Sequence, residues 1–309
     1  MNLYLSLSAV FPLLCYLVIG FLCRKFNILD KQATSKFNNL LFKILFPINL
    51  FRNVVDARDA LKNGEGLSTV LYLFFFFLGI LVLLIFISRL LSKDPKRRGA
   101  FIVGIFSNNT LLFSLIIAET LLGPKELGTI SIGAVIFTAM INVVSTVVLE
   151  YLRGNKPNIG KLIISVITNS NIIGSLIGFV FVMFNIYVPE LLMTPVRNLS
   201  VAILPISLII LGADLNINST KKNAKDLTIA CILKLIISPA IAIYLAYLLG
   251  FRGNDIITIF ALTSAPSAVV CYTYTLQLDS DAPFMGEMIT ISTVLSIISI
   301  FLWILILPV

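Results

Sequence analysis

The chain has 309 residues, 58% of them hydrophobic and 12% charged, with a net charge of +8 at pH 7. That charged fraction is about half of what a soluble domain carries. Together with a mean hydropathy of +1.02, it excludes a soluble globular or disordered protein and defines an integral membrane protein. The positive balance does not point to nucleic acid, because the basic residues sit in short loops between apolar runs, where they act as topology signals. There is no histidine, which removes the commonest metal ligand and the usual proton relay near neutral pH. Cys15, Cys23, Cys231 and Cys271 all fall inside apolar runs without ligand spacing, so neither disulfides nor a metal site nor a cofactor is expected.

A bilayer core takes roughly 20 helical residues to cross. That length predicts ten spans, near residues 3–23, 33–52, 67–90, 99–121, 127–150, 160–184, 191–214, 227–249, 255–277 and 285–307. The first Lys or Arg is Arg24, so the first run is expected to be an uncleaved span and not a signal peptide. Loops after odd-numbered spans hold fourteen Lys or Arg residues, among them Arg24, Lys25, Arg89, Lys96, Arg97 and Arg98; loops after even-numbered spans hold six. The positive-inside rule then makes the odd loops cytoplasmic and turns both termini outward. The expected location is the plasma membrane.

The fourth span carries Ser107, Asn108, Asn109 and Thr110 consecutively at its centre. Two adjacent amides weaken a helix by competing for backbone hydrogen bonds, and irregular backbone at membrane depth needs protein or a water-filled cavity around it. A helix with polar contacts on a buried face is the plainer account. What favours a broken helix is an internal repeat. With an offset of 158 residues, Leu45-Phe46-Pro47-Ile48-Asn49-Leu50 falls on Ile203-Leu204-Pro205-Ile206-Ser207-Leu208, Ile19-Gly20-Phe21 on Ile177-Gly178-Phe179, and Asp56 on Asp214. Asn108 falls on Pro266, inside Thr263-Ser264-Ala265-Pro266-Ser267-Ala268 of the ninth span. A mid-span proline removes a backbone donor and clashes with the preceding turn. Each half, residues 1–153 and 159–309, holds an odd number of spans, so the second is inverted relative to the first. Inverted repeats with interrupted helices in matching positions are the build of secondary transporters.

Several pieces then resemble one family. Ala265-Pro266-Ser267-Ala268-Val269 followed by Tyr272, Asp279 and Asp281 is similar to the ninth-helix pattern of the auxin efflux carriers. Pro205 followed by Leu211-Gly212-Ala213-Asp214-Leu215 resembles their seventh helix, and Ser292-Thr293-Val294-Leu295-Ser296 their tenth. The resemblance runs over nearly the whole chain. It implies an all-α polytopic fold of ten transmembrane helices in two inverted five-helix repeats, with broken helices 4 and 9 crossing. It further implies a scaffold of spans 1–2 and 6–7 carrying a homodimer contact, a transport bundle of spans 3–5 and 8–10, and a carboxylate held near the crossing. Asn108 matches the family's fourth-helix asparagine, whereas Phe113-Ser114-Leu115 stand where a Gly-x-Pro segment is usual. Only Arg153 to Asn158 follow the fifth span, so the long regulatory loop of the plant members is absent.

A broken helix frees N–H groups on one half, and the helix dipole makes that end an anion site. The expected substrate-binding set is Ser107, Asn108, Asn109, Thr110, Ser264, Pro266 and Ser267, joined by Asn39 and Lys43, which lie one turn apart in the second span. An intramembrane Lys is costly and functional by default. Lys234 in the eighth span is expected to pair with an acidic neighbour or to take part in coupling, and Asp214 to cap the seventh span or couple protons. Asn142, Ser145 and Thr146 are the residues available to a sodium site. The resulting expectation is a carrier, uniporter or ion-coupled, for a small organic anion in the lipid bilayer, moving by alternating access. The alternatives are a sodium- or proton-coupled symporter of the bile acid symporter type and a channel or sensor on the same scaffold. An intramembrane enzyme is disfavoured, since Gly212-Ala213-Asp214 has no second mid-span aspartate to complete a dyad.

Overall fold

The structure, a computed structural model, describes residues 2–56, 58, 66–123, 128–154, 159–214 and 223–307. In chain order its helices are α1 (Asn2–Lys25), α2 (Lys31–Leu40), α3 (Phe46–Asp56), α4 (Leu67–Leu91), α5 (Pro95–Phe106), α6 (Leu115–Leu122), α7 (Gly128–Arg153) and α8 (Ile159–Ile167). Then follow α9 (Ser170–Met183), α10 (Glu190–Asp214), α11 (Ala224–Ile232), α12 (Ser238–Leu248), α13 (Asn254–Thr263), α14 (Val270–Gln277) and α15 (Ala282–Ile306). Three π-turns, Leu41–Leu45, Thr110–Ser114 and Leu233–Ile237, join α2 to α3, lead into α6, and join α11 to α12. No strand occurs among the described residues, only an isolated antiparallel bridge between Asn108 and Ser267.

Local chemistry starts these helices. Asp94 accepts from Lys96 N at 3.0 Å with Pro95 in the first turn of α5, and Asp281 accepts from Phe284 N at 3.1 Å at the start of α15. Both satisfy donors that a helix N-terminus otherwise orphans. Helix occurs in each of the ten predicted segments among the described residues. Among the described residues, five stretches are long and apolar enough to cross a membrane by themselves: Leu67–Leu91, Ile136–Arg153, Glu190–Ala213, Ala224–Leu248 and Ala282–Ile306. The fourth, sixth and ninth segments are interrupted, and the second and eighth each run through a π-turn. Large apolar side chains such as Phe75 and Phe86 on α4 and Val201 on α10 stay exposed, a surface suited to lipid rather than water.

Two helix pairs share one mode of contact. α1 packs along α10, and α9 along α3. A Cβ on Gly20 would come 1.9 Å from the Ile209 carbonyl oxygen, and one on Gly178 would come 3.0 Å from that of Phe51. Small residues let helix backbones approach this closely. The 158-residue offset that maps Gly20 onto Gly178 also maps Phe51 onto Ile209, so the same offset relates the two approaches.

Several other helices pack around α5: α4, α7, α11, α14 and α15 lie against it, and α15 also touches α11 and α14. Their ends are tied by ions. Arg97 Nε pairs with Asp281 at 2.8 Å, and Arg97 also donates to Asn223 at 2.9 Å and lies 4.3 Å from the centre of the Phe284 ring. Asn223 in turn donates to the buried Glu287 at 2.8 Å. Nearby, the Lys96 ammonium, 2.8 Å from Asp279, holds that carboxyl below the usual carboxylate range.

Candidate functional site

The fourth and ninth segments both break where the sequence predicts. α5 stops at Phe106, Ser107 turns extended (φ −84°, ψ 112°), and helix resumes at Thr110. α13 stops at Thr263, and helix resumes at Val270. The two gaps face each other and join by backbone: Asn109 N donates to Pro266 O at 2.8 Å and Ala268 N to Ser107 O at 3.1 Å. The unwinding of the fourth segment covers only Ser107 to Asn109. Phe113 and Ser114, in place of a Gly-x-Pro segment, lie buried in the π-turn that follows.

The side chains account for the groups these breaks release. Pro266 cannot donate to the carbonyl four residues earlier, that of Leu262, and the Asn108 amide takes it instead at 2.5 Å. At the end of α5, Ser107 N serves Val103 O at 2.9 Å and Ser267 Oγ serves Gly104 O at 2.8 Å. Lys234 Nζ serves Ile105 O at 2.7 Å and Ser107 O at 2.9 Å, and it also donates to Asn108 Oδ1. Side chains of the eighth and ninth segments thereby close the open end of the fourth, and one of the fourth closes that of the ninth.

Lys234 departs from expectation. It is 1% exposed, and its hydrogen-bond acceptors are two carbonyls and an amide oxygen, with no acidic neighbour among the described residues. The carbonyl end of a helix carries partial negative charge, and a broken helix presents that end inside the membrane. An ammonium there needs no carboxylate.

A cavity of about 280 Å³ opens beside the junction, between the second, fourth, fifth, sixth and ninth segments. Asn108, Asn109, Thr110 and Lys43 line it. Asn109 Nδ2 is buried without a hydrogen-bond partner, and Lys43, among the described residues, has neither a hydrogen bond nor an ion pair. Both are donors open to a ligand. Asn108 has already committed its oxygen and one amide hydrogen. Ser107, Ser264, Pro266 and Ser267 are buried in the junction and do not line the cavity. Asn39 is exposed and off the cavity wall. The π-turn beginning at Leu41, closed by Phe46 N to Leu41 O, winds the chain more loosely, so four-residue spacing no longer stacks Lys43 over Asn39. Asp214 ends α10, and its side chain lies outside the described residues.

Other wall residues did not stand out in sequence. Thr168, Asn169 and Ser170 line the cavity where the sixth segment breaks between α8 and α9. Tyr274, on the same wall, donates at 2.5 Å to Oδ1 of Asn142, which the sequence offers to a sodium site. Thr168-Asn169-Ser170-Asn171 is a polar run of the kind that marks the fourth segment, and that signal could have found them. A second cavity, of about 200 Å³, lies beyond the break, lined by Asn49, Arg52 and Asn53 of α3, Glu119 of α6 and Ser200 and Ser207 of α10. Arg52 stands nine residues after Lys43, about 13 Å along a helix. It pairs with Asp56 at 3.1 Å, which also meets Arg197 at 3.4 Å.

A helical membrane protein with interlocked interrupted helices and a polar cavity beside them has the build of a transporter. Residues 5–304 match the membrane transport protein family, and the chain belongs to that family, the auxin efflux carriers. It is 25% identical over 307 residues to an uncharacterized transporter of Methanocaldococcus jannaschii, covering 97% of this chain and 98% of that one. An uncharacterized transporter of Methanothermobacter thermautotrophicus is 34% identical over 105 residues, 34% of this chain and 35% of its own.

Proposed function

We propose that the protein carries a small organic anion, a carboxylate, across the plasma membrane by alternating access. The observation that carries this reading is the cavity beside the paired breaks, with the Lys43 ammonium and the Asn109 amide at its wall both unpaired among the described residues. A lone cation and a lone amide donor suit a carboxylate, and one free charge is weak enough to let it leave. The second cavity, farther along α3, is the matching vestibule on the opposite side. In this reading the ten segments form two inverted repeats, residues 1–153 and 159–309, whose fourth and ninth helices cross. Spans 1–2 and 6–7 are the scaffold and carry a homodimer contact, spans 3–5 and 8–10 move, and both termini face outward. The equivalent approaches at Gly20 and Gly178 support the repeat and the scaffold.

The test is counterflow of short mono- and dicarboxylates in proteoliposomes holding the purified protein. For an anion that is transported, Lys43→Gln raises KM about 10- to 100-fold, the loss of one charge-assisted hydrogen bond. It leaves the melting temperature unchanged, because Lys43 holds no partner among the described residues. An unchanged KM removes Lys43 from the site, and no saturable flux for any acid of the panel counts against the carrier.

A further inference from the structure

The end of α5 is a cation site. Ile105 O, Ser107 O and Asn108 Oδ1 converge on one point, two of them carbonyls at a half-helix C-terminus. Neutral oxygens of that kind, in unwound backbone at membrane depth, are what hold a coupling alkali cation in broken-helix transporters. Here the point is taken by Lys234 Nζ. An ammonium has three donors, and three oxygens meet them. The hydrogen-bond acceptors that meet it are neutral oxygens, two of them at the negative end of a helix dipole. The side chain is too buried to be reaching for the membrane surface.

We infer that Lys234 is a tethered replacement for a coupling cation: the chain fills its own alkali-type site with an ammonium, and the paired breaks are held together without bound sodium. The inference extends the carrier reading but is measured by binding, so it stands or falls separately from any transport result.

The experiment is thermal melting of the purified full chain in sodium, potassium, choline and methylammonium chlorides at equal ionic strength. The wild type melts at the same temperature in sodium as in choline. Lys234→Ala, which empties the site, melts roughly 5–10 °C lower in choline and recovers part of the loss, saturably, with sodium or methylammonium. Lys234→Met removes the charge but keeps the bulk; it melts lower in every salt and is not rescued. A saturable sodium-specific stabilisation of the wild type overturns the inference, and that arm needs no variant. So does a Lys234→Ala protein that melts like the wild type in choline, or one that no small cation restores. If Lys234→Ala is recovered only when purified in methylammonium, that dependence is itself the rescue.

Discussion

Asn108→Ala is expected to abolish measurable counterflow and to lower the melting temperature by about 10 °C. The magnitude follows from what one amide holds. Its nitrogen satisfies the carbonyl that Pro266 leaves free, and its oxygen is one of three acceptors for a fully buried ammonium. Alanine orphans the Leu262 carbonyl and takes away one of the three acceptors of the Lys234 ammonium. A buried unsatisfied polar group costs about 1–3 kcal/mol, and more when charged, so the sum is about 3–5 kcal/mol, at roughly 2–4 °C per kcal/mol for a chain of this order of size. Asn108→Asp divides the two functions. It keeps an oxygen for Lys234, now as an ion pair, but offers Leu262 no amide hydrogen, so its melting temperature falls between those of the wild type and alanine. An alanine variant with wild-type melting and flux would show that the splice contributes nothing.

The second large effect lies away from the cavity. Gly20→Ala places a methyl 1.9 Å from a backbone oxygen of α10, and backbone cannot step aside as a side chain tip can. Overpacking costs about 1–3 kcal/mol where neighbours can adjust; here α1 and α10 must separate, and the expected result is loss of folded protein. Gly178→Ala meets its carbonyl at 3.0 Å and costs less. Gly79 has nothing within 4 Å, so its alanine variant is neutral, or stabilising by the roughly 0.5–1 kcal/mol that glycine costs in a helix. Folded yield and melting temperature therefore rank Gly79→Ala, Gly178→Ala, Gly20→Ala from best to worst. An order in which Gly20→Ala is not the worst contradicts the close approach of α1 to α10.

Both main breaks were legible because their causes are local. Four polar residues in an apolar run, or a mid-span proline, disturb a helix whatever surrounds it. The break at Thr168 and Asn169 has the same cause but sits near the end of its segment, where polar residues also read as a loop boundary. The π-turns were not legible, since apolar runs such as Leu41–Leu45 carry no residue that marks one, and packing decides the winding. Lys234 was visible as a charge, but its partner was not. A sequence advertises carboxylates as partners for a lysine, whereas the carbonyls it meets exist only because α5 ends more than a hundred residues earlier in the chain. Asn39 was misplaced for the opposite reason, because regular helical spacing was assumed across a turn that breaks it.

The central claim is that the two breaks interlock through backbone and are closed by Lys234. The most direct measurement is an electron cryomicroscopy structure of the protein in lipid nanodiscs, resolved well enough to trace Ser107–Thr110 and Ser264–Val269. The account predicts both segments unwound and joined from Asn109 N to Pro266 O, with the Lys234 ammonium at the carbonyls of Ile105 and Ser107. Unbroken helix through either segment, or the two lying apart with Lys234 turned elsewhere, would contradict it.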